Sequence, residues 1–164
     1  IYLNEKLGYP AWEIGLLFTA QILAATFTKP VMGRLSDRYG RIPMIVSGLA
    51  LGGITTAVIL LSSNYLVIML LIALFGLGLA TVTASTSALV ADLSRAQGRG
   101  GAMGILSSIM DIGHSSGPMV TGVLISAYSY RMAFGVVGIG LVIVSLIFGF
   151  MIRSSDHQTN NTRT

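Results

Sequence analysis

The chain has 164 residues, of which 53% are hydrophobic and 10% charged, with a formal net charge of +4 and a mean hydropathy of +0.79. A soluble domain cannot show so apolar a composition to water, so the solvent for most of this surface is lipid. The excess of base would point to nucleic acid in a soluble protein, but here it falls at the ends of apolar runs and reads as membrane topology, with no nucleic-acid partner expected.

Cysteine is absent, which excludes a disulfide framework and a thiolate metal site. His114 and His157 are too far apart for a zinc motif, and no metal or other cofactor is expected. The opening residues Ile1-Tyr2-Leu3-Asn4-Glu5 lack the basic region and apolar run of a signal peptide. Ile1-Tyr2-Leu3 reads instead as the last turn of a preceding helix, and the chain as a piece of a longer protein.

Five apolar segments follow, each bounded by charge or turn residues as membrane spans are. The first, 12–35, begins after the turn Gly8-Tyr9-Pro10 and carries Gln21 and Lys29 within it. The second, 42–61, closes on Ser62-Ser63-Asn64, too short and polar for anything but a tight turn. The third, 65–91, ends at Asp92, and from Ile42 to Ala91 there is no charged residue, room enough for two spans of about 20 residues each. The fourth, 102–127, holds the acidic Asp111 near its centre, and the fifth, 132–152, holds no charge. The remainder, 154–164, is polar and without periodicity, and a disordered tail is expected there.

Lys and Arg fix the orientation. Arg34, Arg38 and Arg41 lie between the first and second segments, Arg95 and Arg99 between the third and fourth, and Arg153 and Arg163 after the fifth. All three places share one side of the membrane, while the other side holds only Lys6 and Arg131. The basic side is cytoplasmic by the positive-inside rule, which puts the N-terminal edge outside and the C-terminus in the cytoplasm. The expected location is a plasma (inner) membrane, crossed several times.

The loop between the first two segments reads Gly33-Arg34-Leu35-Ser36-Asp37-Arg38-Tyr39-Gly40-Arg41. It resembles the signature loop of the major facilitator superfamily, which lies between the second and third helices of each six-helix half. Gly33 would allow two helix ends to approach closely, and Gly40 could take a left-handed turn conformation. Asp37 could accept from backbone N–H groups at a helix N-terminus, and the arginines could pair with it or with anionic headgroups. The resemblance implies that Gly33, Asp37, Arg38, Gly40 and Arg41 form a cytoplasmic gate.

A second likeness lies in the fourth segment, where Gly113, Gly117, Pro118 and Gly122 resemble the G-x-x-x-G-P motif of the family's fifth and eleventh helices. Glycines four apart make a groove for a neighbouring helix, and Pro118 removes a backbone hydrogen bond and permits a bend. The fourth helix of a first half usually carries an Arg four residues before a Gly, whereas Ile72 stands four before Gly76. The chain therefore resembles a C-terminal half, helices eight to twelve of twelve, and the expected fold class is an all-α transmembrane bundle with five spans of a six-helix half.

Polar residues inside the spans carry two readings each. Asp111 and His114 lie three apart on one helix face and could form a protonatable pair coupling transport to protons, or could bridge neighbouring helices. Thr81 and Ser85 share a face that the resemblance places on the central cavity, but small hydroxylated residues also serve helix packing and bond back to their own carbonyls. Gln21 has the same ambiguity, while Gly48 and Gly52 are read as packing. Lys29 sits six residues from the expected cytoplasmic end, about 9 Å at the helical rise, and can snorkel to the interface.

The resemblance implies a secondary active transporter of a small solute, working by alternating access about a midplane site. Drug or metabolite, efflux or uptake, and antiport with protons all stay open. Its partners would be the bilayer, a small-molecule substrate, protons as a candidate coupling ion, and the N-terminal half. The rival is a non-transporting assembly or binding module with a transporter-like half. An enzyme is not expected, since the spans hold no nucleophile with a base, no metal-ligand cluster and no nucleotide loop. The span assignment predicts that single cysteines at Ser94 and Asn64 are labelled by an impermeant reagent from opposite sides, Asn64 from outside. Labelling of both from one side would overturn it.

Overall fold

The computed structural model describes residues 2–95 and 98–161, and every regular element among them is helical. A short turn of helix, α1 (Tyr2–Glu5), leads through Gly8, at φ +71°, into α2 (Ala11–Tyr39). Then come α3 (Arg41–Val58), extended by a 3-10 turn over Ile59–Leu61, α4 (Tyr65–Leu93), α5 (Arg99–Ala127) and α6 (Tyr130–Asn161). The turn at 62–64 is tight as expected. Asn64 caps α4, its side chain accepting from the backbone N–H of Leu66 at 2.9 Å and of Val67 at 3.4 Å, which satisfies two amides that the first helical turn leaves free.

Four of the described helices are long and apolar enough to cross a membrane: α2, α3 with its 3-10 extension, α4, and α6 as far as Phe150. The segment expected as a fourth span, 102–127, lies within the helix α5, which has 29 residues and hence about 43 Å of length. It falls outside that group because Asp111, His114 and its many glycines and serines dilute its apolar content. The last helix also continues to Asn161, into the stretch expected to be disordered. That stretch has neither Pro nor Gly to stop a helix. Residues 162–164, with Arg163, and Ile1 of the expected preceding turn lie outside the described residues.

Helices α2, α4, α3 and α6 pack in that spatial order, so that α4 stands between α2 and α3, which scarcely touch each other. The close approaches are made where side chains are missing. A Cβ on Gly48 of α3 would lie 2.9 Å from the carbonyl oxygen of Gly78 on α4, and one on Gly53 would lie 2.7 Å from that of Gly138 on α6. Backbones that near give dense van der Waals contact, which lipid cannot supply by a hydrophobic drive between helices. Ser145 of α6 adds a bond across the second contact, its Oγ donating to the Val46 carbonyl at 2.8 Å. Few apolar side chains are buried, among them Leu17 on α2, Ile45 on α3, and Ile68 and Ala80 on α4, while many large apolar side chains are exposed.

Tyrosines tie together the helix ends opposite Arg41. Tyr9 Oη donates to the Ser63 carbonyl at 2.8 Å and Tyr65 Oη to the Glu13 carbonyl at 3.1 Å, while the two rings meet edge to face at 5.4 Å. Tyr2 and Tyr130 meet at 5.2 Å.

Gly48→Leu must push α3 from α4 and should destabilise the bundle by about 1–3 kcal/mol, the usual cost of overpacking. Gly52→Ala, whose Cβ would meet Phe75 at an ordinary 3.9 Å, should be close to neutral. Thermal unfolding midpoints of the two variants check this; equal midpoints would mean that the Gly48 contact does not hold the helices.

Candidate functional site

The signature segment is almost wholly helical. Helix α2 runs on to Tyr39 and α3 starts at Arg41, so the expected loop is the single residue Gly40. Gly40 has φ +97° and ψ 147°, a conformation that a side chain would strain, and its N–H closes α2 on the Ser36 carbonyl at 3.1 Å. Asp37 consequently lies in the last turn of α2 and not at a helix N-terminus, and it takes no backbone N–H there. Its partner is Arg41 across the joint, with Asp37 Oδ1 against Arg41 Nη1.

Arg41 is the centre of the site. Besides Asp37 it holds Asp92, in the last turn of α4, with Nε to Oδ2 at 2.9 Å, and its Nη1 donates to the buried Ser36 Oγ at 3.3 Å. One guanidinium thus joins the ends of α2, α3 and α4. Its planar fork suits the task, because separate N–H groups can point at separate acceptors. Each charge is at the unfavourable end of its own helix: two aspartates near C-termini and an arginine at an N-terminus. The pairing offsets that opposition and fixes which helix ends meet.

The other residues of the segment are less engaged. Arg38 is exposed, with its guanidinium 5.8 Å from the centre of the neighbouring Tyr39 ring. A Cβ on Gly33 would meet nothing within 4 Å, so the expected close approach of two helix ends is not made among the described residues. Lys29 is exposed and ten residues from the true end of α2, not six from its end as expected, since the helix runs past 35. Arg34 is five residues further on, about 7.5 Å at the helical rise.

Helix α5 carries the second set. It is continuous through Pro118, and it has no buried residue. Asp111, His114, Gly113, Gly117 and Pro118 are all exposed. Neither Asp111 nor His114 has a hydrogen-bond or ion-pair partner among the described residues. A Cβ on Gly113, Gly117 or Gly122 would meet nothing within 4 Å, so no described residue packs closely against these glycines.

Thr81 and Ser85 are buried at 3% and 0% exposure. Thr81 Oγ1 donates back to the Leu77 carbonyl at 2.8 Å, and Thr81 packs against Gly48. Ser85 Oγ is buried without a partner among the described residues. Neither lines the space of about 420 Å³ that Gln21 borders, between α1, α2, α3, α4 and α6 at the end opposite Arg41.

Asp92 and Ser36 escape the sequence reading. Asp92 appears there only as the end of an apolar run, because nothing in one chain links it to Arg41, 51 residues away.

Long apolar helices, a basic end and glycine-mediated seams define a multi-pass α-helical integral membrane protein. The chain belongs to the Major Facilitator Superfamily, whose family model matches residues 1–164. It is 32% identical over 144 residues to an uncharacterised MFS-type transporter of Methanocaldococcus jannaschii, covering 86% of this chain and 37% of that protein. It is 29% identical over 150 residues to the quinolone resistance protein NorA of Staphylococcus aureus, covering 90% of this chain and 38% of NorA. An uncharacterised transporter of Buchnera aphidicola is 32% identical over 154 residues, 94% of this chain and 37% of that protein. The chain spans little more than a third of the length of these relatives.

The geometry predicts that Arg41→Ala loosens the ends of α2 and α4 more than Asp92→Asn does, since the first leaves two carboxylates facing each other and the second leaves Asp37 paired. Spin labels at Tyr39 and Leu93 should report a broader distance distribution in Arg41→Ala. An unchanged distribution would mean that apolar packing alone holds these ends.

Proposed function

We propose that this chain supplies most of the C-terminal half of a secondary transporter of a small solute, which works by alternating access against an N-terminal half. The observation that carries this reading is the Arg41 node, which ties three helix ends inside the segment that resembles the family's signature. Transporter relatives along most of the chain support it. In this reading the charge-rich end is cytoplasmic, as is the C-terminus, and Gly33, Asp37, Arg38, Gly40 and Arg41 belong to the cytoplasmic gate. Arg41 occupies one oxygen of Asp37 and holds the carboxylate in place, leaving Oδ2 for a donor on the other half. Gly33 and the α5 groove of Gly113, Gly117 and Gly122 are then surfaces against which further helices of the complete protein lie. Asp111 and His114 on that same helix are the candidates for proton coupling, and Pro118 for a bend.

In the full-length protein, Asp37→Asn should lower transport by about threefold to tenfold by weakening the closed cytoplasmic side and shifting the population toward inward-facing states. Insertion should change little, because the side chain is exposed and outside the apolar segments. A cysteine on the cytoplasmic side of the cavity should label faster in the variant. Unchanged flux together with unchanged labelling would reduce the segment to a topological stop signal.

A further inference from the structure

At the end opposite Arg41 a short segment crosses the starts of two long helices without belonging to either. Residues 2–9 form one hydrogen-bonded unit: beyond the turn of α1, the N–H of Lys6 donates to the Tyr2 carbonyl at 2.9 Å, that of Gly8 to Asn4 at 3.1 Å and that of Tyr9 to Leu3 at 3.0 Å. The Asn4 side chain adds a further tie, its Nδ2 donating to the Tyr9 carbonyl at 3.0 Å. Tyrosines anchor the unit at both ends. The Tyr2 ring lies 5.2 Å from that of Tyr130, the first residue of α6. At the other end Tyr9 Oη donates to the Ser63 carbonyl, in the turn before α4, and its ring meets that of Tyr65, the first residue of α4, at 5.4 Å. Helices α4 and α6 flank α3 and scarcely touch each other among the described residues. Residues 2–9 therefore bridge two helix ends that α3 holds apart.

The bridge is held by contacts that can part. Two ring contacts and one hydrogen bond anchor it, each individually weak, whereas Arg41 holds the opposite end with two ion pairs. The bond from Tyr9 to Ser63 is exposed, so water takes over both groups when they separate and no buried polar group is stranded. Past Tyr9 the chain enters α2 through Pro10 alone, extended at ψ 158°. Tyr65 keeps its own bond to the Glu13 carbonyl at 3.1 Å, so α4 stays tied to α2 when Tyr9 leaves. We infer that residues 2–9 are a latch, which when engaged couples the start of α4 to the start of α6 and when released at Tyr9 lets these ends separate. Because the unit is bonded within itself, a displacement of α1 is carried to Tyr9 and breaks its hold on Ser63. The glycine contacts at Gly48 and Gly53 keep the helices together meanwhile. That the separation belongs to a transport cycle rests on the transport reading; the latch does not.

The test uses the full-length protein in nanodiscs, with spin labels on the exposed Leu66 and Met132, near the starts of α4 and α6, and a second pair at Tyr39 and Leu93 near Arg41. Tyr9→Phe removes the hydrogen bond and keeps the ring, while Tyr9→Ala removes both. The Leu66–Met132 distance distribution should widen in Tyr9→Phe and widen at least twofold in Tyr9→Ala, with the Tyr39–Leu93 distribution unchanged in both. Tyr2→Ala, at the other anchor, should widen the first pair as Tyr9→Ala does. A first pair unchanged in Tyr9→Ala overturns the proposal, since the glycine contacts would then fix these ends by themselves. Equal widening of both pairs overturns it too, because the variant would have loosened the whole bundle. Widening in Tyr9→Ala but not in Tyr9→Phe overturns the part assigned to the hydrogen bond and leaves the hold to the ring. Flux is not read, so a failed transport reading and a failed latch are distinguishable.

Discussion

Backbone contact at glycine is the constraint on which the rest of this structure depends. Gly48 against Gly78 sets how α3 lies on α4, and Gly53 against Gly138 sets how α6 lies on α3. Neither contact tolerates a Cβ, so each has a nearly unique register. Lipid offers apolar side chains nothing that another helix offers better, whereas close backbone approach gives contact that acyl chains cannot match. The seams therefore decide the arrangement, and the exposed leucines, isoleucines and phenylalanines around them only make it soluble in the bilayer.

The Arg41 node inherits its geometry from those seams. Arg41 meets Asp92 because α3 and α4 run antiparallel from the Gly48 contact to their basic ends, and it meets Asp37 because Gly40 turns the chain in one residue. Three charges opposed to their own helix dipoles are held together in this way. Such an arrangement is sensitive to small displacements, since moving one helix end leaves a charge both unpaired and badly placed. That sensitivity suits the gate proposed for this segment.

Much of the fold is legible from residue patterns alone. Runs of apolar residues, the arginines at their ends and the Ser62-Ser63-Asn64 turn give the membrane class and the helix order. The segment from Gly33 to Arg41 gives the family. What escapes is whatever depends on which helix faces which. Asp92 carries no local sign of its bond to Arg41. Gly76 and Gly78 are ordinary in an apolar run until α2 and α3 lie against them. Thr81 and Ser85 share a face, as the helical period requires, but only packing shows that this face is closed. The helix ends at 39 and 41 are missed because charged residues at the membrane surface stop an apolar run without stopping a helix. Helix α5 has the opposite difficulty. Its sequence is that of a packed helix, yet among the described residues it touches α4 and α6 only sparsely.

The spatial order of α2, α4, α3 and α6 has a consequence for biosynthesis. A chain emerging from the ribosome delivers α2 and α3 to the membrane before α4 exists, and those two helices scarcely touch each other. Until α4 follows, Gly48 on α3 and Gln21 on α2 lack the α4 glycines that they meet in the folded chain. When α4 arrives it must slide between them, bringing Gly76 to Gln21 and Gly78 to Gly48 in one step. Assembly is thus non-sequential at its centre, since α4, made after α2 and α3, is the helix that joins them.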